Sequence, residues 1–365
     1  MSEPVGAARR LAPTPPSRAL GAAIAGIGIA HPPCTSQDEL WDGFFVGHYS
    51  GSERALAKRI FGNSGVRRRH AAVNPIVEDV SGWSTGRRMQ RYLVEAMPLG
   101  KSAVADALAA SNVDASDVGL FAVCSCTGYA TPGLDVLLAR DLGMAAGTKR
   151  LAIGPMGCYA ALPGLDAARD FAIANQRPAL LLCLELTSLH LQPPTADADQ
   201  IVAHALFADA AVAVMVTPQA SGYELVEVAA ITDATTSDHM TWDVTDLGFR
   251  MGLSARVPDV LGQYVASMVD ELLGRHGIRR DDVAGWAVHP GGPRILDVVE
   301  NELALPAAAL DESRSVLAEH GNCSSPTVLL VLDEVMRRSD PPEWIVALAF
   351  GPGLTLYGAL LRAAN

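Results

Sequence analysis

Three residues have the types and surroundings for nucleophilic catalysis: Cys158, His289 and Asn322. Cys158 lies in GPMGCYAALPGLDAARDF, with a glycine before it and a helical pattern from Ala160 to Phe171 after it. The glycine permits a tight turn. A cysteine at the start of a helix sees the positive end of its dipole, which favours thiolate over thiol. An imidazole nearby would add to that effect. His289 ends an apolar run in WAVHPGGPRIL and enters a Gly-Gly-Pro turn, where a rigid scaffold exposes functional groups. Asn322, in HGNCSSP, carries an amide that can join an imidazole N–H as an oxyanion donor. Each residue also has a plain structural reading. These are a buried apolar cysteine, a core histidine bonded to backbone, and an N-cap for the helix-like run from Ser324.

The elements that would bring these residues together are written twice in the chain. Helical stripes alternate with apolar strands throughout, which predicts an α/β fold. NVDASDVGLFAVC from Asn112 aligns with GIRRDDVAGWAVH from Gly277 at an offset of 165 residues, so that Cys124 falls on His289. Within one residue of that shift, Gly157-Cys158 falls on Gly321-Asn322, and the strand from Pro178 to Glu185 falls on Pro342 to Ala349. Three matches in order imply an internal duplication, with halves over 20–220 and 221–365. Packed about a pseudo-twofold axis, the halves would set equivalent loops side by side, and with them Cys158 and Asn322. Helices are expected from Leu99 to Ser111 and from Asp259 to Arg275, each followed by a polar turn and a strand (Gly119 to Cys126, Gly285 to His289).

Composition narrows the function. Of 365 residues, 49% are hydrophobic and 19% charged, enough apolar material for a large core and too little charge for a disordered chain. A net charge of −12 disfavours non-specific nucleic-acid binding, which needs a basic face. No apolar run has the length of a membrane span; the best, Pro178 to Leu184 and Trp344 to Phe350, are strand length. Residues 1–19 hold prolines and arginines without an apolar core, and read as a flexible tail rather than a secretory signal. The six cysteines (Cys34, Cys124, Cys126, Cys158, Cys183 and Cys323) include no C-x-x-C pair, so zinc is not expected and a reduced, cytoplasmic chain is. No G-x-G-x-x-G follows the first strand in the context a Rossmann oxidoreductase needs.

With these residues in view, the chain resembles the type III polyketide synthases, the chalcone/stilbene-synthase-like enzymes. The carrying motifs are GIGIAHPP from Gly26, GVRRRH from Gly65, CTGYATPGLD from Cys126, MGCYA from Met156, ALFADAA from Ala205, VHPGGPRIL from Val288, HGNCSS from His320 and FGPGLT from Phe350. The resemblance implies a thiolase-like fold of duplicated αβαβα halves. It implies an acyltransferase that extends an acyl-CoA starter with malonyl-CoA by decarboxylative Claisen condensation and cyclises the product to a pyrone or phenolic ring. Cys158 would carry the acyl chain, with His289 and Asn322 holding thioester and malonyl carbonyl oxygens. Phe207 would gate the cavity. Met251, Trp242, His190, Cys126, Thr131 and Ser324 would shape it, and Lys58 and Arg59 would contact coenzyme A. No metal or redox cofactor is implied, and a homodimer is, with Thr131 reaching toward the partner's cavity. The motif ALFADAA carries alanines 208 and 210 where the family commonly has glycine. Trp242 stands where flavonoid-forming plant members have a small residue, and Met251 where many have an aromatic. This favours aliphatic or malonyl starters over a coumaroyl-type one. Two other readings remain: a single-round condensing enzyme of the ketoacyl synthase III type, and a catalytically silent acyl-CoA-binding protein.

Overall fold

The computed structural model describes residues 21–218 and 222–364; the expected tail over 1–19 and the junction near residue 220 lie outside the described residues. The described strands are β1 (Ala23–Ala30), β2 (Cys34–Ser36), β3 (Arg68–His70), β4 (Leu120–Cys124), β5 (Lys149–Ile153), β6 (Ala179–Leu186), β7 (Asp209–Thr217), β8 (Tyr223–Thr232), β9 (Met240–Thr245), β10 (Gly248–Leu253), β11 (Gly285–Val288), β12 (Trp344–Gly351) and β13 (Thr355–Ala363). The described helices of eight residues or more are α1 (Gly51–Gly62), α2 (Thr85–Ser111), α3 (Leu134–Asp141), α4 (Ala161–Asn175), α5 (Ala198–Leu206), α6 (Val257–Gly274), α7 (Pro293–Leu303), α8 (Asp311–His320) and α9 (Pro326–Met336).

Nine strands hydrogen-bond in the order β11-β12-β13-β8-β1-β7-β6-β4-β5. From the centre outward the two arms repeat one pattern. On one side β1, β7 and β6 run antiparallel and β4 joins β6 in parallel; on the other, β8, β13 and β12 run antiparallel and β11 joins β12 in parallel. The arms meet through the short β1–β8 contact, Ala23 with Glu224 and Ile24 with Tyr223. Among the described residues, only the first arm has an extra edge strand, β5.

Side-chain alternation turns this ribbon into layers. In β4, Leu120, Ala122 and Cys124 face one cluster while Phe121 and Val123 face another. In β12, Ile345, Ala347 and Ala349 face the first cluster while Val346, Leu348 and Phe350 face a third. The first cluster also holds the apolar faces of α4 and α9, so these two helices are sandwiched between the arms. Helix α2 covers the outer face of one arm, and α6 and α7 cover the other. Helix α9 (PTVLLVLDEVM) is apolar almost all round, as a helix with sheet on both sides must be. The result is five layers, α-β-α-β-α, with both faces of each arm covered.

The helix expected to begin at Leu99 begins at Thr85 and runs through Pro98. Interior proline costs about 3 kcal/mol, and burial of Tyr92, Ala96, Ala103 and Ala107 against the sheet offsets it. The approach of α2 is so close that a Cβ at Gly28 of β1 would lie 2.0 Å from the Ala103 carbonyl oxygen. No described helix is long and apolar enough to cross a membrane.

Candidate active site

The turn between β5 and α4 carries Cys158. Gly157 adopts a φ of +76°, and a Cβ there would lie 2.7 Å from Cδ of Pro352, so glycine alone fits the turn. Its counterpart Gly321, at +70°, precedes Asn322 in the same way. His289 follows β11, its backbone N–H donating to the Leu348 carbonyl at 2.8 Å and its ring edge-on to Phe350. Asn322 is laced to the gate segment: its N–H donates to the Leu206 carbonyl at 2.8 Å, and its own carbonyl accepts from Ala208 at 2.9 Å. That places Phe207 beside Asn322.

Cys158, His289 and Asn322 line one cavity of ≈ 450 Å³, although each is at most 6% exposed. Its walls are mostly apolar, with Phe207, Met240, Met251, Leu253 and Phe350 among them, and Arg59 and Arg294 contribute to its lining. The Asn322 side-chain oxygen accepts the Ser324 N–H at 2.8 Å, an Asx turn that leaves the amide N–H groups for another acceptor. Asn322 is therefore not a helix cap; α9 starts at Pro326, and its N-cap position is Ser325. Both ring nitrogens of His289 are buried without a partner.

Burial dominates the electrostatics. It pushes the Cys158 thiol up to about 12, against a smaller downward pull from Ser324. It lowers His289 to about 3. In sequence, a helix N-terminus and an imidazole both favour the thiolate; burial acts on the thiol in the opposite direction. Cys158 sits on a single 3-10 turn ahead of α4, and desolvation by burial is the largest influence on its thiol. Each group by itself is held neutral.

The pocket residues divide. Cys126 and Ser324 border the Cys158 side, their Sγ and Oγ 3.8 Å apart. Trp242 and Met251 are cross-strand neighbours on the β9–β10 hairpin, and both line this space. The indole N–H donates to the Cys126 carbonyl at 2.8 Å. Trp242 is shared, with Thr187 and Phe207, between the Cys158 side and a second cavity of ≈ 70 Å³. His190 does not line the Cys158 cavity; it borders this second one, packed behind Trp242. Its Nε2 bonds the Thr127 carbonyl at 2.7 Å and its Nδ1 accepts from Phe249 N–H at 2.9 Å, so it buttresses the hairpin. Thr131 is exposed and lines none of these cavities within the single chain. Of the basic pair, Arg59 borders the main cavity and Lys58 does not.

Two participants were not anticipated from sequence. Glu185, 1% exposed, accepts from Thr127 Oγ1 at 2.7 Å, Ser325 Oγ at 2.9 Å and Cys126 N–H at 3.0 Å, and burial raises it. A lone carboxylate inside the apolar strand ALLLCLEL was the available signal. Buried Arg69 donates to the Phe207 carbonyl at 2.7 Å and fixes the gate's backbone; in sequence it was one of three adjacent arginines.

A thiol, an imidazole and a free amide thus line one largely apolar cavity, between two sheet arms that repeat one strand pattern. Residues 15–220 match the family model for the N-terminal domain of chalcone and stilbene synthases, and residues 226–365 match that for the C-terminal domain. The chain belongs to the chalcone and stilbene synthase family and is a type III polyketide synthase. Among its relatives is the 1,3,6,8-tetrahydroxynaphthalene synthase of Streptomyces peucetius, 36% identical over 321 residues, covering 86% of this chain and 85% of that one. The alpha-pyrone synthesis polyketide synthase-like Pks18 of Mycobacterium tuberculosis is 29% identical over 368 residues, covering 96% and 93%. Among solved structures, PKS-I of the brown alga Ectocarpus siliculosus superposes with a TM-score of 0.87 at 29% identity, covering 94% of this chain and 98% of that one. The type III polyketide synthase domain of Steely1 from Dictyostelium gives 0.90 at 27%, covering 94% and 100%.

Proposed function

We propose that Cys158 carries the acyl chain, that His289 takes its proton, and that His289 and Asn322 together bind the carbonyl oxygen on which enolate charge develops. The observation that carries this reading is the convergence of all three on one cavity. Since burial holds thiol and imidazole neutral, the nucleophile forms by proton transfer from Cys158 to His289 as an acyl-CoA approaches. The thiolate displaces coenzyme A, and the acyl thioester forms. Malonyl-CoA then occupies the same cavity. Its C–C bond to the carboxylate breaks, CO2 leaves, and the electron pair moves onto the thioester oxygen. Two N–H donors there are worth roughly 3–4 kcal/mol each. The enolate carbon attacks the acyl carbonyl, a new C–C bond forms, and the Cys158 thiolate leaves. Transfer of the extended chain back to Cys158, with coenzyme A departing, permits another round.

Several finer readings belong with this one. Arg59 contacts the coenzyme A moiety at the cavity, with Lys58 beside it on α1. Trp242 and Met251 favour slim aliphatic or malonyl starters, and the product is a pyrone or a small phenolic ring. The relatives named for a pyrone and a tetrahydroxynaphthalene support that range. The halves over 20–220 and 221–365 act as one catalytic unit. The protein works as a cytoplasmic homodimer without a redox cofactor. Exposed Tyr129 and Thr131, and the open edge of β5, support assembly, because an edge strand left bare invites pairing. Incubation with malonyl-CoA and a panel of acyl-CoA starters tests the function. Products heavier than the starter by repeated two-carbon units are expected. A single addition would favour a one-round condensing enzyme, and none a silent acyl-CoA binder.

A further inference from the structure

We propose that His31, His70 and His320 form a binding site for one late first-row divalent cation, Zn2+ in the first instance. The three residues end separate elements: His31 follows β1, His70 closes β3 and His320 closes α8. They are far apart in sequence, so the cysteine spacing that argued against zinc carried no word of them. In the fold their candidate ligand nitrogens all lie within 4.8 Å of one another. His70 Nε2 and His320 Nδ1 are 3.2 Å apart. Two nitrogens bound to one tetrahedral zinc at about 2.0–2.1 Å stand at nearly that separation.

The outer atoms prepare the inner ones. His70 Nδ1 is 2.8 Å from the Pro32 carbonyl and donates to it, which leaves Nε2 as a lone pair facing His320. An imidazole that ligates a metal through one nitrogen ordinarily donates its other N–H to just such an acceptor. His31 meets the Asp209 backbone on one side, while its Nδ1 is buried with no partner. A buried unpartnered ring nitrogen calls for an explanation, and a cation supplies one. All three side chains are lowered below the ordinary histidine range, first by burial, and so are neutral near pH 7, the form that binds metal. The residues are only partly buried, so an ion can enter from solvent. Arg68, the cation whose charge acts on His70 and His320, is paired with Glu319.

The rings are stacked, His31 lying 4.3 Å from His70 and 4.6 Å from His320 between centroids. Lone pairs lie in the ring planes, so binding turns the His31 ring about its Cβ–Cγ bond until its lone pair meets those of His70 and His320, whose Nε2 and Nδ1 already stand 3.2 Å apart. Stacking of neutral imidazoles is exchanged for coordination. The site would tie three elements together next to Gly321 and Asn322, bracing the loop that holds the amide donor. It is separate from the reaction, and no step of the condensation passes through it.

The test uses the full chain, free of affinity tag and stripped by a chelator, titrated with ZnCl2 by calorimetry at pH 7.5. One saturable equivalent is expected, with affinity reduced at least tenfold in His320→Gln and in His31→Gln and unchanged in Cys34→Ser and Cys158→Ser. Should a histidine variant fail to fold, Co2+ added to the unmodified chain gives a second readout: visible d–d bands without thiolate charge transfer are expected. Absence of a saturable equivalent would mean that the stack takes up protons only. An equivalent lost in either serine variant would place the ion at a thiol. A thiolate charge-transfer band would do the same. Each of these results would overturn the proposal.

Discussion

Removing the Trp242 ring should widen starter choice more than it harms the fold. In Trp242→Ala the side chain shared by the Cys158 side and the ≈ 70 Å³ cavity is lost, and the two spaces should join. The indole packs edge-on against His190 and Phe249 and donates one hydrogen bond to Cys126. Truncating a well-packed aromatic costs roughly 3–5 kcal/mol. This ring is half-buried with a face on the cavity, so the lower end, about 3 kcal/mol, is expected. With an unfolding entropy of about 2.1 cal/mol/K per residue, that corresponds to a fall in Tm of roughly 4 °C. Relief of a steric clash worth about 1.4 kcal/mol changes specificity tenfold. The ratio of kcat/KM for a coumaroyl-type starter to that for hexanoyl-CoA should therefore rise at least tenfold. An unchanged ratio in a folded variant, with only the loss of Tm, would refute the reasoning and leave Trp242 as a packing residue.

Further outcomes follow from the same geometry. Asn322→Ala should lose malonyl-CoA decarboxylation by roughly 10²–10³-fold while Cys158 still accepts an acyl group; retained decarboxylation, followed by CO2 release, would remove the amide from its role. In the unmodified protein, Cys158 should alkylate fast at neutral pH, because its proton has somewhere to go. His289→Gln removes the proton acceptor and leaves in place the burial that raises the thiol, so alkylation should slow at pH 7 and climb with pH; a rate equal to that of the unmodified chain would contradict the pairing. Light scattering at micromolar concentration should give twice the chain mass, and a monomer would leave Thr131 outside the site.

The legible part of this fold was whatever two neighbouring signals agreed on. The strands at Ala179–Leu186 and Trp344–Gly351 are long apolar runs closed by turns, and they appear as expected. The duplication could be seen because β4 and β11 kept matching residues on matching faces, Ala122 and Ala287 toward the shared helix layer. The first part of α2 was hidden by Pro98, whose local penalty is real but is overridden by packing. The β9–β10 hairpin has mixed polarity and no strong turn signal, so the pairing of Trp242 with Met251 emerged only from the register. That Cys158, His289 and Asn322 would meet could be anticipated because glycine marks the turn beside each. The thiol's raised pKa could not be, since desolvation depends on layers packed from distant segments. The place of His190 was hidden for the same reason: both its nitrogens are bonded to backbone, and it supports the wall behind Trp242.

Chain extension in this cavity begins with an acyl group on Cys158. Brief incubation with hexanoyl-CoA, an acid quench, proteolysis and mass spectrometry will locate it. One hexanoyl mass per chain is predicted on the peptide containing Cys158, released by hydroxylamine as a thioester and absent from Cys158→Ala. Acylation of Cys34, Cys126 or another cysteine, or polyketide formation by Cys158→Ala, would contradict it.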